Sequence, residues 1–118
     1  MITIELLEPG VYRLPHAANA QAARADAVAA GWLSIELPGK EIDSKAAFLA
    51  ACAKAFHFPG WFGANWDALN DSLSDLSWLA PAGGLLVLFD DAARFARSDL
   101  RSFETALEIL AAACEWWQ

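Results

Sequence analysis

Apolar residues along the chain fall into two rhythms, short continuous or alternating runs and three-to-four spacings, which read as strands and helices. Ile2–Leu7 alternates weakly and is rich in Ile and Leu. Glu8-Pro9-Gly10 reads as a turn, and Val11–Leu14 as a second short strand stopped by Pro15. Residues Ala17–Ala30 are mostly Ala with Asn, Gln, Arg and Asp, which favours helix, and Gly31 is placed to end it. Trp32–Leu37 alternates apolar and polar positions as a strand does and is closed by Pro38-Gly39. Asp43 or Ser44 caps the next helix, whose apolar positions are Phe48, Leu49, Cys52 and Phe56.

Phe58-Pro59-Gly60 breaks that helix, and Trp61–Asn65 is a loop. Asn65 is a good N-cap for a helix from Trp66 to about Leu79. Phe62, Trp66, Leu69, Leu73 and Leu76 recur three and four apart and form its apolar face. Pro81 and Gly83-Gly84 end the unit. Leu85–Phe89 is apolar at every position, the pattern of a central strand covered on both faces. Ser98 or Asp99 caps a last helix with Phe103, Leu107 and Leu110 as its stripe. Strands alternating with helices predict an α/β fold, a small parallel β-sheet packed by α-helices.

Composition sets bounds on this picture. The length of 118 residues suits one domain, 1–118. Alanine accounts for 26 of the 118 residues, but the larger apolar residues that remain still suffice for a core. No run reaches the roughly 18 consecutive apolar residues of a membrane span. The start, Met1–Glu5, carries an acid and no basic stretch, so no secretory signal is read and the cytoplasm is the expected compartment. Cys52 and Cys114 lie in Ala-rich helical stretches and are expected as buried or half-buried free thiols. His16 is expected to be solvated in a loop, and His57 to sit at a helix end, where an imidazole favours the C-terminal dipole.

Charge carries the first functional information. Fifteen acids against eight bases, a net charge of −7, exclude nucleic acid as the expected partner. Between Ala55 and Ala93 there is no Lys or Arg, while Asp67, Asp71, Asp75, Asp90 and Asp91 all fall there. Asp67, Asp71 and Asp75 are four apart and line one stripe of their helix. Like charges at that spacing cost a helix about 0.2–0.5 kcal/mol per pair. A stripe kept at that cost reads as a surface for a basic partner, with Trp61, Phe62 and Trp66 beside it as candidate anchors. Trp66 falls on the apolar face and Trp61 in a Gly-flanked loop. An Asp67–Asp71 carboxylate pair could serve acid/base or metal chemistry, but no His or further ligand group accompanies it in the motif. No catalytic residue, metal or cofactor is assigned.

The run from Phe58 to Leu73, FPGWFGANWDALNDSL, resembles the barstar family of ribonuclease inhibitors. The family carries Pro, an aromatic pair, Gly, any residue, Asn, one residue, Asp-Ala-Leu, one residue, Asp, one residue and Leu. The likeness covers roughly Trp32 to Trp117, so 32–118 is the expected core and 1–31 an N-terminal extension. The resemblance implies a small parallel sheet packed by helices. It also implies an intracellular inhibitor of a basic, barnase-like extracellular ribonuclease, which an acidic helix blocks at the active site. By motif position, Asp71 would be the carboxylate that replaces substrate phosphate, and Asp67 a second charged contact. Asn65 and Trp66 would meet the partner at the helix start, although the family often has Leu at position 66. Trp61 would pack on the nuclease, and Ser74, Asp75 and Leu76 would form the end of the binding helix.

Departures from the family pattern fall at that end and beyond it. The family prototype has Thr, Gly and Trp where this chain has Ser74, Asp75 and Leu76. Its acidic contact on the last helix aligns with Ala111–Ala113, and Glu115 is an imperfect substitute. The family's last strand would begin where this sequence stops at Gln118. The expectation that follows is an open sheet edge and self-association into a homo-oligomer. These departures favour an alternative reading, a barstar-fold interaction module whose partner is not a ribonuclease.

Overall fold

The computed structural model describes residues 17–60, 62–75 and 84–116. Expected strands Ile2–Leu7 and Val11–Leu14, together with His16, Trp61 and Leu76, lie outside them. In chain order the described elements are α1 (Ala17–Ala29), β1 (Leu33–Leu37), α2 (Lys45–Ala55), α3 (Trp66–Asp75), β2 (Leu85–Phe89), α4 (Ala93–Ser98) and α5 (Leu100–Trp116), with a 3-10 turn at Gly39–Glu41. The fold is α/β: β1 and β2 pair in parallel, from Leu33 opposite Leu85 to Leu37 opposite Phe89.

Local signals set the boundaries. α1 stops where Gly31 takes the left-handed conformation, φ 77°. The Trp32 N–H then donates to the Ala27 carbonyl and the Gly31 N–H to that of Val28, the paired bonds of a Schellman closure. α2 closes in the same way with His57 in the left-handed position, φ 54°. There the Phe58 N–H donates to Ala53 and the His57 N–H to Lys54. Of the two candidate caps for α2, Ser44 serves: its Oγ accepts from the Ala47 N–H at 3.1 Å. Asp43 instead stands 3.7 Å from Arg94 in an exposed pair.

Strand alternation sorts the sheet into two faces. Leu33, Ile35 and Leu37 of β1 and Leu85, Val87 and Phe89 of β2 turn to one core with α2, α3, α4 and α5. Phe48 is its hub, fully buried and stacked on Phe89 at 5.7 Å and Phe95 at 5.6 Å between ring centroids. The opposite face carries Ser34, Glu36, Leu86 and Leu88, and α1 lies across it, touching both strands. Ala27 and Leu88 are buried there, apart from the main core. At the sheet's C-terminal end Gly39 leaves no room for a side chain, since a Cβ would stand 1.7 Å from the Asp90 carbonyl oxygen. The Gly39 N–H donates to Asp90 Oδ1 at 2.7 Å and ties the ends of β1 and β2 together.

Three expectations need correction. β2 is not buried throughout: Leu88 is buried, and its four neighbours in the strand are partly exposed. The partial exposure falls on both faces, at Leu85, Val87 and Phe89 towards the main core and at Leu86 towards α1, while Leu88 under α1 is the buried one. The sequence pattern does not predict α4, because one large apolar residue, Phe95, anchors it and no side chain caps its start. Ser98 ends α4, so Asp99 alone caps α5, accepting from the Ser102 N–H at 3.2 Å. The apolar stripe of α5 is Phe103, Ala106, Leu110 and Ala113 with Ile109, while Leu107 stands half-buried beside it. Buried Ala106 shifts the contact line by one position.

Two titrating groups respond to these surroundings. The Ser102 hydroxyl and N–H hold the Asp99 carboxyl below its usual range. Its contribution to stability is therefore present above the ordinary carboxylate range and is lost as pH falls through the lowered value. Burial pushes the Cys52 thiol up from 9.0 to about 12. Its contribution is full below 9 and declines as pH rises towards 12. A thiol with that pKa is ionised to only about 1 part in 10,000 at pH 8. Cys52 is therefore expected to resist alkylation in the native protein and to react once the chain is unfolded in urea. Peptide mass analysis after iodoacetamide treatment checks this, and fast native labelling of Cys52 would contradict it.

Candidate functional site

α3 and the loop before it form the site. The loop is held by aromatic contacts. Phe56 stacks on Phe58 at 5.6 Å, and Phe58 meets Phe62 at 4.7 Å. The Phe62 N–H donates to the Pro59 carbonyl at 3.0 Å. Ala64 takes a left-handed conformation, φ 51°, uncommon for a residue with a Cβ, and so turns the chain into α3. Asn65 then caps the helix, its Oδ1 accepting from the Ala68 N–H at 2.8 Å, while its Nδ2 donates to the Gly63 carbonyl at 3.4 Å.

The inner face of α3 is Leu69, Ser72 and Leu73, all buried, with Trp66 half-buried at the first turn. Asp67, Asp71 and Asp75 stand exposed on the outer side. At 1.5 Å rise per residue they are spaced about 6 Å apart along the axis. None of the three makes an ion pair among the described residues, where the pairs found are Arg24–Glu36 and Arg94–Asp43. Asp67, in the first turn, also gains from the helix dipole. Ser74 is half-buried and turns its hydroxyl back to the Asn70 carbonyl at 3.0 Å.

Six of the eight expected contact residues lie from Asn65 to Asp75 on this capped helix, Trp66 among them packed inward. Trp61 and Leu76 lie outside the described residues. Trp66 sits 6.2 Å from Phe48 between ring centroids, and Lys45 Nζ lies 5.2 Å from its ring centroid, a cation–π contact. Sequence reasoning missed Lys45, because its neighbour belongs to another helix and no local pattern links the two. Asp90, counted with the acidic stretch, is engaged by Gly39. Among the described residues no group of three His, Cys, Asp or Glu could hold a metal ion.

Chemically, this surface offers fixed carboxylate acceptors on a rigid rod. Such groups pair with Arg and Lys, bidentately where the partner is Arg. The family model for Barstar (barnase inhibitor) matches residues 32–118, which include the loop, α3 and both described strands. The chain belongs to the barstar family. No match is found among curated proteins or among solved structures. Barstar-family membership brings the description barnase inhibitor to the family as a whole. No helix among the described residues is long and apolar enough to cross a membrane.

Within this barstar-family helix one buried group is unsatisfied. Ser72 is 1% exposed, and its Oγ has no hydrogen-bond partner. A buried hydroxyl left unpaired costs about 1–3 kcal/mol, and Ala is the better helix former. Ser72→Ala is therefore expected to stabilise the protein by about 1 kcal/mol without altering the outer face. A urea midpoint below that of wild type would show that the hydroxyl is satisfied in solution.

Proposed function

We propose that this protein is a non-enzymatic inhibitor of a basic, barnase-like ribonuclease and acts inside the cell. In this reading α3 enters the nuclease active site. A ribonuclease site gathers Arg, Lys and His to hold phosphate, and Asp71 takes the phosphate's place among them. Asp67 is the second charged contact. Asn65 and Trp66 meet the partner at the helix start, Trp61 packs beside them, and Ser74, Asp75 and Leu76 form the far end.

The observation that carries the reading is the exposed row Asp67, Asp71 and Asp75 on a helix whose other face is locked into the core. A row of like charges weakens its own helix, so folding does not account for it, and a basic partner does. The test is inhibition of a panel of purified basic microbial ribonucleases by wild type and by Asp71→Ala. Inhibition by wild type that falls steeply with added salt, and is lost in Asp71→Ala, supports the reading. Equal inhibition by both proteins removes Asp71 from its role.

The departure at Asp75 favours a second reading, a module of the same fold whose basic partner is not a ribonuclease. Wild type that inhibits no nuclease in the panel, but retains a basic protein without nuclease activity on a column, would select it.

A further inference from the structure

α1 stands apart from the rest of the molecule in how it is attached. It precedes the family match at 32–118, yet it lies across the Ser34–Glu36 and Leu86–Leu88 face of the sheet. Among the residues described from Ala20 on, the apolar part of the face it turns inward is Ala20, Ala23 and Ala27, continued by Ala30 just past its end, and of these Ala27 is fully buried. Methyl groups bring little apolar surface to the contact, Leu88 is the one large residue of the sheet that is buried beneath them, and burial free energy scales with the area removed from water. Val28, the one larger apolar residue between Ala20 and Ala29, is 69% exposed, so it adds nothing to the attachment.

Polar groups do not make up the difference. Arg24 pairs with Glu36 across the seam, but the two side chains are 39% and 59% exposed, where water screens most of the attraction. Arg24 Nε and Asp26 Oδ2 on the helix, and Ser34 Oγ on the strand, are buried without a hydrogen-bond partner. Each would regain water if α1 lifted, so each favours release. The contrast with α2, α3, α4 and α5 is sharp, since those helices close on Phe48, Phe56, Leu69 and Phe95, all fully buried.

We propose that α1 is a detachable cover, which leaves the sheet as a unit while the rest of the chain stays folded and so uncovers Ser34, Leu86 and Leu88. The proposal stands independently of the ribonuclease reading. Once released, α1 also loses its helix, because a helix of 13 residues is marginal alone in water. Its amides then exchange with solvent.

Hydrogen–deuterium exchange on the full chain under native conditions tests this. The amides of Arg24–Ala30 are expected to exchange at least 100-fold faster, relative to their intrinsic rates, than those of Leu69–Leu73 and Ala106–Leu110. Glu36→Lys, which sets two cations against each other, should speed α1 exchange further and leave α5 exchange unchanged. Trypsin should cut wild type after Arg24 well before it cuts within α5. Equal protection of α1 and α5, or a Glu36→Lys protein that loses protection in both helices together, would overturn the proposal by making α1 part of the cooperative core.

Discussion

Asp71→Ala is expected to weaken ribonuclease inhibition by roughly 100-fold or more, while folding stability stays level or rises slightly. The size follows from what the partner loses. In the bound state the carboxylate would be desolvated against the cations that hold phosphate, and removing one member of a buried ion pair leaves the other charged and unpaired. That typically costs about 3 kcal/mol or more, which is two decades in Kd. The free protein loses nothing comparable. Asp71 is exposed, makes no ion pair among the described residues, and has a like charge four residues away on either side. Its removal relieves repulsion by about 0.2–0.5 kcal/mol per neighbour. Isothermal titration with an inhibited ribonuclease, beside urea unfolding of the free protein, reads both quantities. A loss of stability matching the loss of binding would move Asp71 from contact to scaffold.

Phe48→Ala should give the opposite pattern. Phe48 is fully buried and meets Phe89, Phe95 and Trp66, so it joins β2, α4 and α3 through one ring. Deleting a buried phenyl group costs about 3–5 kcal/mol, transfer and cavity terms together. Three separate elements line the cavity, which limits how far any one can collapse into it. For a domain of ordinary stability this is a large share of the total. Phe48→Leu, which keeps most of the volume, is expected to lose about half as much. Urea denaturation gives the values, and a loss below about 1 kcal/mol for Phe48→Ala would mean that the core relaxes around the gap. Because Phe48 also backs Trp66, α3 should start less firmly, yet the carboxylates remain. Binding measured per folded molecule should fall far less than in Asp71→Ala.

Asp71 lies on the outer face of α3 and Phe48, on α2, backs its inner face through Trp66, and those faces differ in how readily the sequence reveals them. The inner face was legible from spacing: Trp66, Leu69 and Leu73 recur as a helix requires and join the core, whereas Phe62, read on the same face, reaches the core from the loop before the helix. The stripe of Asp residues was legible for the same reason, since one period places both. The strands Leu33–Leu37 and Leu85–Phe89 could be read from alternation and from an apolar run. The end of α1 could be read from Gly31, and the cap of α3 from Asn65.

What escaped the sequence depends on distant neighbours. Asp43 and Ser44 are equally good caps on paper, and the choice falls to Ser44 while Asp43 faces Arg94, about fifty positions away. Lys45 and Trp66 meet although twenty residues separate them. Asp90 looked like part of an acidic surface and is bonded to the Gly39 amide. α4 exists because Phe95 finds Phe48 and Phe103 on other elements, at 5.6 and 5.8 Å between ring centroids.

By itself, then, the sequence determined the periodic elements, the acidic stripe and the motif that places the chain in its family. Those features arise from backbone geometry and from residues a few positions apart. Tertiary structure alone decided which polar groups are engaged and which are left over, Asp90 and Lys45 on one side, Ser72 and the seam under α1 on the other. A hydrogen bond or a desolvation penalty is a property of the finished surroundings, and no local pattern records what will stand opposite a side chain once the chain has closed on itself.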